Sequence, residues 1–274
     1  MIVQHNMAAA NTNRQLGITT GNIAKSTEKL SSGFKINRAG DNAAGLTISE
    51  KMRGQIRGLT QASTNAQDGI SLIQTAEGAL NETQSILQRM RELTVQASND
   101  TNVSADRKAI SKELTALTAE VKRIADDTEF NKMKLLDGTF SDKNLQVGAN
   151  EDQKITFSIG DMTPATLVVA GAATAVESDD YATITEYITT IQGALDKVSE
   201  ERSDLGALQN RLEHTIANAD NTAENLQAAE SRIRDVDMAK EMVKFAKDTI
   251  LQQAAQSMLA QANQQTQGVL ALLQ

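Results

Sequence analysis

The sequence predicts a mainly α fold: a long antiparallel helical bundle of coiled-coil type, with a small β-hairpin region and with its N- and C-terminal helices paired. Three observations carry that expectation. Aromatic residues make up only 3% of 274, with one proline, Pro164, and no Cys or Trp. A compact core leans on aromatic bulk for buried area, so this chain must bury its apolar surface along helices, which its Ala, Gln, Glu, Lys and Leu favour. Apolar residues then recur at coiled-coil spacing over two long stretches. Finally, residues 1–13 and 249–274 contain no Asp, Glu, Lys or Arg, in a protein of net charge −8.

The first long helix reads from Ser49. Met52, Leu59, Ala66, Ile73, Leu80 and Leu87 recur every seventh residue, with Ile56 and Ile70 between them. Ser63, Glu77 and Gln84 break the second position, while Ala62, Ala76 and Met90 sit one residue aside, so the seam drifts as a 3.6-residue period should against a 3.5-residue repeat. No proline interrupts it before Asn99-Asp100, giving a helix on the order of 75 Å long. A second helix follows with Ser104 as its cap. Its stripe of Ile110, Leu114, Leu117, Val121 and Ile124 folds it back on the first.

Asp137-Gly138 is a turn signal, Leu145 and Val147 alternate, and Ile155, Phe157 and Ile159 alternate again. A hairpin region is therefore expected over about 135–170, and AGAATAVESDDY reads as loop. Helical periodicity returns at Ile184 and runs through Ile191, Leu195, Val198, Leu205 and Leu212 to Leu226. Eleven of thirteen seam positions are apolar, and only Arg202 and Gln209 break it.

The two charge-free ends differ from the middle. The last 26 residues include eight Gln yet keep a helical stripe: Ile250/Leu251, Ala254/Ala255, Met258/Leu259, Ala262, Val269 and Leu272/Leu273. A lone helix that apolar and that poor in charge would aggregate or stay disordered. Both ends are expected to bury themselves against each other and against other copies.

Several functions find no support. The first residues, MIVQHNMAAANTNRQ, have neither a basic segment nor an apolar run of signal-peptide length. No stretch reaches the roughly 18 apolar residues of a membrane span, and a pI near 4.9 argues against nucleic acid. His5 and His214 are far apart, and without Cys or HExxH they do not make a metal site. RAGDNAAG, Arg38–Gly45, lacks the Lys and preceding strand of a phosphate loop; it reads as a hinge at Gly40, Asp41, Asn42 and Gly45, with Asp41 or Asn42 capping the long helix. Arg234-Asp235-Val236-Asp237 reads as a charged face. No catalytic constellation is present, so neither an enzyme nor a cofactor is expected.

Five blocks carry a family resemblance. LSSGFKINRAGDNAAGLTISEKMRGQIRGL (Leu30–Leu59) and DGISLIQTAEGALNETQSILQRMRELTVQASN (Asp68–Asn99) resemble the N-terminal signature of bacterial flagellins. NRLEHTIAN (Asn210–Asn218), ENLQAAESRIRDVDMAKEM (Glu224–Met242) and SMLAQANQQ (Ser257–Gln265) resemble the C-terminal signature, in the same order. The resemblance spans roughly 1–135 and 184–274.

It implies a self-assembling subunit of a hollow helical filament that serves swimming. Residues 1–42 and 235–274 would form the inner D0 coiled coil, and 43–234 the D1 bundle, with no outer domain. It also implies export through the flagellar type III apparatus without a cleavable signal peptide, an extracellular location, and an export chaperone that covers the C-terminal segment from about Arg234. Ile250, Leu251, Met258, Leu259, Val269, Leu272 and Leu273 would serve both filament and chaperone. Filament cap and hook-junction proteins are further implied partners; a hook–filament junction protein with the same termini is the alternative. Through LQRMRELTVQ the family implies recognition by Toll-like receptor 5 of animals, at Gln88, Arg89, Leu93 and Glu113. Arg89 and Leu93, four apart, would share a helix face. The departures from the family pattern, a start MIVQHN, QTQGV where a proline-containing variant is common, and an end ALLQ, all lie in D0.

Overall fold

The computed structural model describes residues 6–177 and 180–271, with the backbone alone for 266–271. Among the described residues six helices run in the order α1 (Met7–Ser32), α2 (Ala43–Ala97), α3 (Ser104–Asp127), α4 (Ala172–Glu177), α5 (Tyr181–Arg234) and α6 (Met238–Ala271). Strands β1 (Glu129–Phe130), β2 (Met133–Lys134), β3 (Lys143–Gln146) and β4 (Lys154–Phe157) lie between α3 and α4. The chain divides into two compact units: residues 1–54 with 224–274, and residues 55–223.

In the second unit, α2 and α5 run side by side in opposite senses. The 55 residues of α2 make it about 80 Å long. Ala66, Ile73, Leu80 and Leu87 of its predicted seam are buried, as are the offset Ala62, Ala76 and Met90. From α5, Ile184, Ile191, Val198, Leu205 and Leu212 close the same core, which Leu114 and Val121 of α3 and Leu135 and Leu136 of the following loop complete. The seam breakers are not left facing oil. Arg202 of α5 donates to Gln84 Oε1 and lies 3.5 Å from Glu77 Oε1 on α2.

Two antiparallel pairs follow α3; only β3–β4 lies within the expected hairpin region, and β1–β2 precedes it. β3 and β4 pair with Leu145 opposite Ile155 and Lys143 opposite Phe157, and Ile155 is buried. β1 and β2 make a tighter hairpin that the alternation does not announce. Its central Asn131 and Lys132 both take positive φ, 49° and 64°, the backbone a two-residue hairpin of matching twist requires. AGAATAVESDDY, expected as loop, contains α4. Small side chains let this single turn and a half pack closely, burying Ala172, Ala175 and Val176, and Ser111 of α3 donates to Glu177 at 3.0 Å.

Helix ends correct one expected cap and choose between two others. α3 starts at Ser104 with Val103 as its cap residue; the Asp106 carboxylate accepts the Val103 N–H at 3.2 Å. Before α2, Asn42 Oδ1 accepts from Gly45 N–H at 2.9 Å. Asp41 instead takes the N–H groups of Asn37 and Arg38 on one oxygen, both at 3.1 Å, and so staples the preceding loop.

In the first unit α1 and α6 pair antiparallel. Asn6 caps α1 through the Ala9 N–H, and Gly33, at φ 75°, ends it in the left-handed conformation. The Asp237 carboxylate caps α6 by accepting the Lys240 N–H at 3.1 Å.

Candidate functional site

Terminal helices with charge-free outer ends must draw their order there from each other, and the α1–α6 seam shows how far they do. On α1 the inward positions alternate three and four apart: Ala9, Thr12, Leu16, Thr19, Ile23, Ser26 and Leu30. On α6 they are Glu241, Phe245, Asp248, Gln252, Ala255, Leu259 and Ala262. Both are heptads. Leu16, Ile23 and Leu30 with Phe245 and Leu259 supply an apolar column. The other column is small or polar, and it begins with Ser26 donating to Glu241 Oε1 at 2.6 Å. That hydrogen bond, more than the nearby lysines Lys244 and Lys29, holds the Glu241 carboxyl below the usual carboxylate range. At the far end Asn6 Nδ2 donates to the Ala262 carbonyl at 3.0 Å.

Pairing leaves much apolar surface unmet. Met7 and Ile18 of α1 and Met242, Val243, Ile250, Leu251 and Met258 of α6 are exposed, Val243 and Ile250 by 72% and 66%. Leu259 is half-buried in the seam. The Val269 side chain, Leu272 and Leu273 lie outside the described residues, as does His5.

The turn into α6 is built around Arg234. Expected as part of a charged face, its side chain is only 13% exposed. The guanidinium stacks over Phe34, 4.7 Å from the ring centroid, and donates to Glu50 Oε1 at 2.8 Å. Glu50 is thereby held below its ordinary pKa, chiefly by that hydrogen bond. The Arg234 carbonyl accepts from Lys35 N–H at 2.6 Å, and Val236 N–H donates to Gly33 O at 3.0 Å. Periodicity could not have found this cluster, because its members come from three separate stretches. The Gly40–Gly45 segment is a bonded turn, and a Cβ on Gly45 would sit 2.8 Å from Ile36 Cδ1.

On the α2–α3 face Arg89 donates from Nε and Nη2 to Glu113 Oε1, at 3.0 and 2.9 Å, and from Nη1 to Glu92 at 3.2 Å. Glu113 first, then Glu92, raises the arginine's pKa. Gln88, Arg89 and Glu113 are exposed. Leu93 is not: at 2% exposure it belongs to the core, so the Arg-beside-Leu surface expected from their spacing does not form. The drifting seam carries position 93 inward while 89 stays on its rim.

His214 lies on an open groove of about 870 Å³ between α5 and the β3–β4 hairpin, with Arg211, Asp152 and Lys154. Among the described residues no three His, Cys, Asp or Glu side chains group as a metal site would. No described helix is long and apolar enough to cross a membrane.

Comparison with known proteins matches both long-helix regions. The bacterial flagellin N-terminal helical region matches residues 3–141, and the bacterial flagellin C-terminal helical region matches 188–273. The chain is 59% identical over 274 residues to a flagellin of Halalkalibacterium halodurans, covering all of both chains. It is 51% identical over 285 residues to a flagellar filament 33 kDa core protein of Treponema phagedenis, again over all of both. A putative flagellar hook-associated protein from Vibrio parahaemolyticus aligns with a TM-score of 0.62 over 71% of this chain and all of that one; at 13% identity this is likeness of fold alone. With both helical regions matched and full-length relatives above half identity, the chain belongs to the bacterial flagellins.

Proposed function

We propose that this chain is the repeating subunit of the flagellar filament, a structural protein and not an enzyme. One observation carries the reading: the terminal helices α1 and α6, charge-free toward their outer ends, pair with each other yet leave Met7, Ile18, Val243, Ile250, Leu251 and Met258 in water. Exposed apolar side chains in such number are covered in a working state, and neighbouring copies in a helical array cover all of them repeatedly. In this reading residues 1–42 and 235–274 form the inner layer and 43–234 the next, with Gly40, Asp41, Asn42 and Gly45 at the joint. The uncharged, Gln-rich tail would then border a narrow aqueous channel without a charge that grips a passing chain.

The same surface supports the finer partners. An export chaperone would cover the segment from about Arg234, including Ile250, Leu251, Met258 and Leu259, before type III export delivers the chain outside the cell. Cap and hook-junction proteins would meet it at the filament ends. Toll-like receptor 5 would read the exposed Gln88, Arg89 and Glu113, with Leu93 holding the helix beneath them.

Electron microscopy after salt-induced assembly tests the central claim, comparing the full chain with a variant ending at Asp248. Long filaments from the first and none from the second are expected. Filaments from both would assign polymerisation to the second unit instead. Short capped oligomers from the full chain would favour the alternative, a hook–filament junction protein.

A further inference from the structure

We propose that Asp248 makes the pairing of α1 with α6 conditional on assembly: its carboxylate is sealed in the seam with an oxygen its own chain leaves unmet, and a side-chain amide from a second copy of this chain completes it. The inference rests on the filament reading above. Asp248 is 7% exposed, and its Oδ2 is buried without a hydrogen-bond partner. The heptads explain why. One heptad along from the bonded Ser26–Glu241 pair, the seam brings Thr19 to the level of Asp248. Thr19, however, spends its hydroxyl proton on the Gln15 carbonyl at 2.9 Å. Gln252, the next inward residue of α6, gives its amide to Thr20 Oγ1, and the Lys244 ammonium sits by Glu241 at 3.6 Å.

A buried carboxylate lacking a donor weakens the structure that buries it. The seam of the lone subunit is therefore weakest near its middle: Ser26, one heptad away, has a partner, and Asp248 Oδ2 has none among the described residues. Ile18 beside Thr19, and Val243, Ile250 and Leu251 around Asp248, are all exposed. Whatever covers these side chains closes over the unmet carboxylate at the same time. A second copy brings the right chemistry, because from Thr249 onward this chain offers Gln and Asn amides and no cation. A neutral donor satisfies the carboxylate without burying a second charge.

Two measurements on the full chain decide it. In the soluble subunit, hydrogen exchange of α1 and α6 amides is compared for wild type, Asp248→Leu and Asp248→Asn. Exchange at least tenfold slower in the Leu variant is expected, with Asn between; equal rates in all three would overturn the conditional pairing. In filaments co-assembled from subunits labelled with ¹⁵N at Gln and Asn side chains and subunits labelled with ¹³C at Asp, solid-state NMR should show an amide-to-carboxyl contact between copies. Asp248→Asn in the second set should remove it. Wild-type filaments without the contact would overturn the second-copy donor, whereas failure of wild type to form filaments would count against the proposed function itself.

Discussion

Arg202 on α5 extends its guanidinium to within 3.5 Å of Glu77 on α2, and Gln84 one heptad along accepts from the same group. Each residue breaks an otherwise apolar seam on its own helix, and the breaks meet. Replacing Arg202 with Ala leaves Glu77 and Gln84 half-buried and unmatched, and should cost about 1–2 kcal/mol in urea unfolding. Arg202→Met, keeping the volume and removing the charge, should cost less, since the ion pair is partly exposed and weak for that reason. Equal losses in the two variants would show that the lost hydrogen bonds and charge act here and packing volume does not.

Substitutions along α2 should divide by what faces the glycine. A Cβ on Gly78 meets nothing within 4 Å, whereas one on Gly58 would lie 2.8 Å from Ala149 Cβ and 3.1 Å from its Cα. Gly78→Ala should therefore stabilise by about 0.5–1 kcal/mol through lower chain entropy. Gly58→Ala should destabilise, because backbone of the hairpin loop must give way. Urea midpoints for both variants check the opposite signs.

The proposed receptor surface makes a paired prediction. Arg89→Ala should leave the fold intact and weaken binding of Toll-like receptor 5 by about tenfold or more. Leu93→Ala should lower stability by about 2–5 kcal/mol, as core truncations do, and should weaken receptor binding only as far as it disturbs the helix. Thermal unfolding beside surface-bound receptor titration separates the two. Full-strength binding by Arg89→Ala would remove the residue from the interface.

Acid should loosen the first unit. Glu50, hydrogen-bonded by Arg234, and Glu241, hydrogen-bonded by Ser26, both have folded pKa values below their ordinary ones. Their contribution is complete above the ordinary carboxylate pKa, about 4.3. It is lost as pH falls through the lowered values, when protons bind the unfolded state first. Hydrogen-exchange protection of α1 and α6 should drop below about pH 4.3, and NMR should find the Glu241 carboxyl nearer its ordinary value in Ser26→Ala. An unchanged Glu241 titration in that variant would contradict the cause assigned to it.

Much of this was legible because packing here is periodic. Ile73, Leu80 and Leu87 sit in the core where a seven-residue count puts them, and Leu145 faces Ile155 as alternation requires. The parts that escaped depend on single backbone states or on distant meetings. Nothing in Asn131-Lys132 announces two positive φ angles, since the second residue is Lys rather than Gly. AATAVE carries no stripe long enough to declare a helix, and only contact with α3 makes it one. Leu93 was placed by spacing relative to Arg89, but the drift of the seam decides which of the two turns inward. The Arg234–Phe34–Glu50 cluster joins three stretches that no local pattern relates.

The hydrogen bond from Asn6 to the Ala262 carbonyl spans 256 positions. Loop closure over such a separation is slow compared with local helix formation. During synthesis α1 must wait, unmatched, until α2 to α5 have left the ribosome and α6 follows them. The α2–α5 bundle has all its residues in hand before that moment. The molecule thus has a built-in chronology: its middle can reach a finished state while its two ends are still strangers, and whatever meets those ends first has an interval in which to act.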